Sequence, residues 1–223
     1  VLPDGAVVHF GASTLDTPGY DLTGLFVGSE GTFGIVTRVT VRLLRKPQAW
    51  KTVVAFFSSV DAASNAVSSI ISAGIIPGAL EMMDNLAIQA VEAAIQAGLP
   101  LDAGALLLIE LDGIADGMEE DATRIAALCQ QHGCQGVRIA KDEAERALLW
   151  KGRKEAFGAV GRLSPNYYTH DGVIPRTRLP EALRQLQQIS ATYGLRIANV
   201  FHAGDGNLHP LVLYDERDTE EVK

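Results

Sequence analysis

Asn199-Val-Phe-His202-Ala-Gly204-Asp-Gly206-Asn207-Leu-His209-Pro210 separates two apolar runs of strand length, Leu195–Phe201 and Leu211–Tyr214. Gly204-Asp205-Gly206-Asn207 is turn chemistry, because Gly and Asn tolerate the positive φ of tight hairpins. A four-residue loop there sets Ala203 opposite Leu208 and His202 opposite His209. Directly opposed residues share one face, with Cβ atoms about 4.5–5.5 Å apart. Two imidazoles so held can chelate a metal ion or grip a substrate oxygen. The plainer reading is a hairpin with two ordinary histidines, one of them capping a carbonyl. Two of only five histidines bracket a loop rich in glycine, and that favours a site, since such a loop lets a ligand approach the backbone. Pro210 donates no hydrogen bond, so it marks an edge or the start of the second strand. Two histidines do not fill a metal sphere, and a third protein ligand has to come from elsewhere.

Working outward, 223 residues suffice for one large or two small domains with a real core. A hydrophobic content of 47% with 21% charged residues describes a folded chain rather than a disordered one. The net charge of −8 argues against binding a phosphate backbone, and no nucleic-acid partner is expected. No apolar run approaches the ~18 residues of a membrane span, the longest candidate, Ala103–Ile109, breaking at Glu110. Cys129 and Cys134 match neither a CxxC redox motif nor a zinc knuckle and read as reduced, structural thiols.

Residues 1–47 read as strands and turns: Ala6–Phe10 as a strand, Gly11–Tyr20 as a loop, and the β-branched, alternating Ile35–Leu43 as another strand. Gly28, Gly31 and Gly34 lead into that strand and not into a helix, so neither a dinucleotide fingerprint nor a P-loop is present. Gly31 and Gly34 can mark a bulge; with Ser29 and Thr32 between them, the glycines also offer open amides and hydroxyls to an anionic or heteroaromatic ligand. Lys46-Pro47-Gln48 marks a boundary. Beyond it strands at Thr52–Phe57, Ala79–Met83, Ala105–Leu111, Gly136–Ala140 and Tyr168–Ile174 alternate with helices. The helices run from a cap at Asp61 to Ala73, then over Asn85–Ala97, Met118–His132, Asp142–Phe157 and Pro180–Tyr193, several closed by a glycine. This order implies an α+β sheet covered by helices, of the ferredoxin-like kind.

Among the charged residues, Lys151 and Lys154 read as a solvated face, whereas the Arg153 guanidinium has the geometry to clamp a carboxylate with two parallel hydrogen bonds. Asn166-Tyr-Tyr-Thr-His170-Asp171 reads as the lining of a cleft or as a turn before a strand. Glu81-Met-Met-Asp84 reads as a helix cap with a core Met pair.

Leu25–Thr37 (LFVGSEGTFGIVT), Gly78–Asn85 (GALEMMDN), Asp142–Gly161 (DEAERALLWKGRKEAFGAVG) and Ala198–His209 (ANVFHAGDGNLH) together resemble the FAD-linked oxidases of the vanillyl-alcohol-oxidase type, in one order along essentially the whole chain. Within them the likeness is to the flavoprotein subunits of bacterial glycolate oxidases. The resemblance implies that residues 1–48 are the C-terminal part of a VAO/PCMH-type FAD-binding domain. Residues 49–223 are then a ferredoxin-like substrate (cap) domain, both domains being incomplete. It implies FAD lying along Gly28, Ser29, Glu30, Gly31, Gly34, Ile35 and Val36, much of the contact coming from backbone. It implies a divalent metal, zinc or manganese, on His202 and His209, with Asn207 near substrate and flavin and Arg153 on the substrate carboxylate.

The implied reaction is oxidation of a small 2-hydroxy acid, glycolate to glyoxylate first and D-lactate or D-2-hydroxyglutarate as alternatives. A non-enzymatic ferredoxin-like metal-binding module is the reading from another class. The implied partners are other glycolate oxidase subunits, an iron–sulfur subunit among them, and the implied location is the cytoplasm at the inner face of the membrane. Two departures are visible. Thr169 and His170 stand where relatives carry a lysine ahead of the aspartate matching Asp171. The Gly-rich pyrophosphate loop and the Glu-His-Gly motif that carries the family's third metal ligand are missing, so the sequence reads as a fragment expected to bind FAD weakly or not at all.

Overall fold

In the computed structural model, which describes residues 1–12 and 19–223, the chain divides into two units, Val1–Arg45 and Lys46–Lys223. Part of the loop expected at Gly11–Tyr20 lies outside the described residues. The first unit holds one short helix, α1 (Leu22–Phe26), capped by the Asp21 carboxylate, which accepts from Gly24 N at 2.8 Å. The strands expected at Ala6–Phe10 and Ile35–Leu43 are not formed. Alternating β-branched residues suit a pleated surface, but a ladder needs a neighbour to take its N–H groups. Neither stretch has one among the described residues. Ile35 exchanges hydrogen bonds of 2.8 and 2.9 Å with Val1, and Ala6 is held locally, its carbonyl accepting from Leu2 N at 2.9 Å.

The second unit runs β1 (Ala49–Phe57), α2 (Val60–Ser72), β2 (Ala79–Asp84), α3 (Asn85–Ile95), β3 (Ala105–Gly113), α4 (Met118–Gln131) and β4 (Cys134–Ile139). It continues through α5 (Glu143–Lys154), α6 (Ala156–Val160), β5 (Asn166–Thr169), β6 (Gly172–Val173) and α7 (Leu179–Tyr193). β7 (Arg196–Phe201), β8 (Asn207–Leu208), β9 (Pro210–Tyr214) and α8 (Thr219–Val222) complete it. Seven strands form one sheet in the order β4-β1-β3-β2-β7-β9-β5, with β6 and β8 paired separately, and every ladder is antiparallel. The order β4-β1-β3-β2, with α2 and α4 as connections, is the ferredoxin-like α+β arrangement that the alternation of elements implies. α3 is inserted between β2 and β3, and β7, β9 and β5 widen the sheet.

Period two along the strands decides which side chain meets which helix layer. Val53, Ala55, Phe57, Leu107, Ile109 and Met82 point to one face and pack with Ala66, Ile70, Ile125 and Leu183 of α2, α4 and α7. Val54, Leu106, Leu108, Met83 and Val200 point to the other and pack with Ile88, Val91, Leu149 and Val160 of α3, α5 and α6. β3 is therefore buried on both faces, as its unbroken apolar run demands. A fully buried Leu or Ile contributes roughly 1.5–3 kcal/mol, so this double layer fixes the sheet and with it everything mounted on β2 and β7.

Several boundaries differ from the sequence reading. Ser59, and not Asp61, caps α2, its Oγ accepting from Ala62 N at 3.2 Å. The helix expected to run to Phe157 breaks at Glu155, leaving α5 and α6. The strand expected over Tyr168–Ile174 is split by His170 and Asp171 into β5 and β6. Pro210 opens β9, where its missing N–H costs least. Asp84 caps α3, accepting from Ala87 N at 3.0 Å, and Met82 and Met83 are buried, which realises the cap and the Met pair. Cys129 and Cys134 are unbridged, and burial pushes the Cys129 thiol up to about 12, far from reactive thiolate.

Candidate active site

The hairpin between β7 and β9 reverses earlier than its sequence suggests. Asn199 opposes Pro210 and His202 opposes Asn207, so the direct His202–His209 pairing expected from the sequence is not formed. The turn is made by Ala203–Gly206, with Gly206 at φ 74° and the N–H groups of Asp205, Gly206 and Asn207 all directed to the His202 carbonyl at 3.1–3.3 Å. This register differs from the expected one by two residues, and a two-residue shift preserves the face on which a side chain lies, whereas a one-residue slip reverses it. His202 and His209 therefore remain on one face as diagonal neighbours, their ring centroids 5.2 Å apart and their planes at 86°.

Neighbouring backbone ties this turn on two sides. Gly204 N donates to Leu80 O of β2 at 2.9 Å, and Arg176 Nη1 donates to Gly204 O at 3.0 Å. Ile174 N donates to Gly206 O at 2.9 Å, an approach so close that a Cβ on Gly206 would sit 2.2 Å from Ile174 O. Gly206 is required there twice over, by its left-handed φ and by this contact.

α5 supplies the other half of the site. Asp142 caps it, accepting from Glu145 N at 2.8 Å. Arg146, Trp150 and Arg153, spaced i, i+4, i+7, fall on one helical face and reach down to two carboxylates of the sheet. Lys151 and Lys154 are exposed, as expected of a solvated pair. Arg153 does not stand free. Its Nε and Nη2 meet Glu81 Oε2 at 2.9 and 2.8 Å, and Nη1 makes no hydrogen bond among the described residues. The second oxygen of Glu81, Oε1, lies 2.8 Å from His202 Nδ1. Asp171 Oδ1 lies 3.5 Å from His209 Nδ1, and Phe157 meets the His209 ring edge-on. Burial pushes the His209 imidazole below the usual histidine range, Asp171 opposing and His202 and Arg153 adding to the shift. A neutral imidazole can ligate a metal or take a proton. The Oδ1 of Asn207 is buried and has no hydrogen-bond partner among the described residues, leaving one acceptor for a ligand donor.

Of the residues singled out in the sequence, Arg153, His202, Asn207 and His209 are thus gathered on one face of one sheet. Glu81 was not singled out for chemistry. The signal that could have found it is its place in β2: alternation puts it on the same inward face as Met83, and a carboxylate among buried side chains needs a cation. The glycine-rich stretch belongs to the first unit and is described by itself. Gly28, Glu30 and Gly31 all have positive φ (78°, 49° and 80°), and a Cβ at Gly28 or Gly31 would meet nothing within 4 Å. These left-handed residues leave room for a ligand to approach the backbone at Gly28 and Gly31, which fits a backbone-held anionic cofactor.

For a metal, His202 and His209 fit in donor type and in mutual distance. No group of three or more His, Cys, Asp or Glu side chains placed to hold a metal occurs among the described residues. No described helix is long and apolar enough to cross a membrane.

Residues 46–223 match the family described as FAD linked oxidases, C-terminal domain. The chain belongs to this family. The glycolate oxidase subunit GlcD of Escherichia coli strain K12 is 53% identical to it over 218 residues, covering 98% of this chain and 44% of the relative. The subunit of the same name from Bacillus subtilis strain 168 is 40% identical over 224 residues, covering 100% of this chain and 48% of the relative. The chain thus spans about half the length of these curated relatives. Among solved structures, 4-ethylphenol oxidase from Gulosibacter chungangensis superposes with a TM-score of 0.66 at 18% identity, over 92% of this chain and 46% of that one. That likeness concerns the fold alone, the mixed α+β architecture.

Proposed function

We propose that the protein to which this chain belongs is an FAD-dependent oxidoreductase of small 2-hydroxy acids, with glycolate as the first substrate. Residues 1–48 supply the end of its flavin-binding domain and residues 49–223 its substrate domain. The observation that carries this reading is the pair of adjacent imidazoles, His202 and His209, on the same sheet face as the Arg153 guanidinium. Family membership supports the flavin, and the two relatives named as glycolate oxidase subunits support the substrate and the presence of partner subunits. An iron–sulfur subunit is the partner of fitting chemistry, since electrons leave a flavin singly or in pairs.

Oxidising a 2-hydroxy acid removes hydride from C2 and a proton from its hydroxyl. FAD, when bound along Gly28–Val36, supplies the hydride acceptor at N5. The remaining work falls to this chain. Arg153, through the edge that Glu81 leaves open, holds the substrate carboxylate and so fixes the direction of the C2–H bond. His202 and His209 face the hydroxyl, where a neutral imidazole takes its proton; a divalent ion such as zinc or manganese, if held by the pair, would lower the pKa of that hydroxyl. The buried Asn207 Oδ1 leaves one further acceptor for a ligand donor other than that hydroxyl.

The test is made on the intact flavoprotein with an artificial electron acceptor and three acids, glycolate, D-lactate and D-2-hydroxyglutarate. Glycolate is expected to bleach the bound flavin fastest. His209→Ala is expected to lower turnover by about 10²-fold or more, the usual loss of a proton-transfer group, while flavin content stays unchanged. A flavin that none of the three acids reduces, or a His209→Ala variant with wild-type turnover, overturns the reading.

A further inference from the structure

Glu81 sits in β2, between β3 and β7, and is only 6% exposed. A carboxylate is costly there unless both oxygens find donors. Both do, and the two donors come from the two halves of the candidate site: Arg153 of α5 on Oε2, His202 of the hairpin on Oε1. One rigid side chain thus spans the distance between the group assigned to the substrate carboxylate and one of the groups assigned to its hydroxyl. The strand carrying it is also the strand to which Gly204 of the turn is hydrogen-bonded, through Leu80.

We propose that Glu81 is the positioning residue of this site, setting the separation of Arg153 and His202 and keeping the imidazole hydrogen of His202 on Nδ1. A carboxylate accepts only, so a ring nitrogen 2.8 Å away must be the one that bears hydrogen. In the neutral form of the ring Nε2 is then the nitrogen with the free lone pair, and it is the one presented to the substrate hydroxyl or to a metal on it. Glu81 touches neither substrate nor flavin and acts through its two partners. The inference rests on the oxidase reading for its consequence in turnover, but the ring-nitrogen assignment stands on geometry alone.

Glu81→Gln is the informative variant in the intact protein. A glutamine has one acceptor where the glutamate has two. With its oxygen on Arg153, its NH₂ group faces Nδ1 of His202, which has to become the acceptor, and the ring hydrogen moves to Nε2. The expected result is a 10–100-fold loss of kcat with flavin content retained, in the range seen when groups that orient site ligands are removed. Glu81→Asp, which keeps two acceptors on a shorter arm, is expected to recover part of it. The second readout is the ¹⁵N spectrum of His202 in wild-type protein, expected to show hydrogen on Nδ1 and none on Nε2, reversed in Glu81→Gln. Hydrogen on Nε2 of the wild-type ring overturns the proposal even where Glu81→Gln fails to fold. Wild-type kcat in Glu81→Gln, alongside an inactive His209→Ala, overturns the positioning role and leaves the oxidase reading standing. A flavin that no 2-hydroxy acid reduces defeats the oxidase reading instead, and the ¹⁵N result still decides the ring-nitrogen claim.

Discussion

Two carboxylate–arginine pairs hang from the same helix and end differently. Glu110 and Glu81 are both 6% exposed, and α5 meets them with Arg146 and Arg153, seven residues apart. At Glu110 the circle closes: Arg146, Thr52 and Trp150 take both oxygens. Burial alone would raise the Glu110 pKa, but these partners outweigh it and hold the carboxyl below its usual range. At Glu81 the second oxygen goes to an imidazole at the mouth of a turn, next to a second imidazole and an unpartnered Asn207 oxygen. A buried ion pair that saturates itself holds elements together. One that ends on a group with a free lone pair aims that group at something else.

The largest expected effect separates these two roles. Arg146→Met leaves Glu110 buried without its cation and is expected to cost about 3–5 kcal/mol of stability, read as a lowered denaturant midpoint. Turnover per folded flavin should be unchanged. The double variant Glu110→Leu with Arg146→Met should regain most of the stability, because a buried pair is often replaceable by apolar groups of similar volume. The matching replacement, Glu81→Leu with Arg153→Met, should regain stability without turnover. Restored turnover in that second double variant would erase the distinction drawn above.

A third carboxylate, Asp84, gives the comparison a pH axis. It accepts from Ala87 N, Asn199 N and Asn199 Nδ2, yet no cation pairs with it among the described residues. Burial, opposed by these hydrogen bonds, raises its pKa from 3.8 to about 6. The folded state therefore binds more protons than the unfolded one between those values, so this group's contribution falls as pH rises through the window and is level above it. Relative to Asp84→Ser, which also caps a helix, wild-type stability should decline by about 3 kcal/mol in all as pH rises from well below this window to well above it. Glu110 slopes the other way: its contribution is present above 4.5 and is lost as pH falls toward its lowered value. Unfolding free energies of Asp84→Ser and of the Glu110→Leu, Arg146→Met double variant, measured against wild type across that range, check both signs.

The smallest effect on stability concerns the turn. Gly206→Ala places a side chain at φ 74° and against Ile174 O, for a cost of about 1–3 kcal/mol. Because the same turn sets His202, kcat should fall more than stability does. Equal kcat in a measurably destabilised Gly206→Ala would show that the imidazole is held from Glu81 alone.

The helices and strands of the second unit were legible because burial imposes period two or 3.6 on their apolar residues, and a glycine after the last turn announces an end. The face shared by His202 and His209 was legible too, since parity survives a two-residue error in register even though the pairing itself does not. Ile35–Leu43 was misleading for the complementary reason: alternation reports suitability for a sheet, and ladder formation depends on a partner elsewhere. Local pattern could mark Glu81 as a buried carboxylate in need of a cation, but not say which groups it meets. Its partners lie 72 and 121 residues away, and only the fold brings a strand, a helix and a turn to one carboxylate. Arg153 could be recognised as a clamp by its chemistry, but nothing in its neighbours along the chain disclosed that one edge is already taken.

The turn at Ala203–Gly206 is anchored from beneath by Leu80 and from above by Ile174 and Arg176. Those upper anchors are backbone groups and a single long side chain, outside the seven-stranded sheet. Val173, exposed next to these anchors, is thus free to vary in bulk while Arg176 and the backbone of Ile174 keep the turn in place, so the surface around the turn can change with the spacing of the imidazoles left as it is.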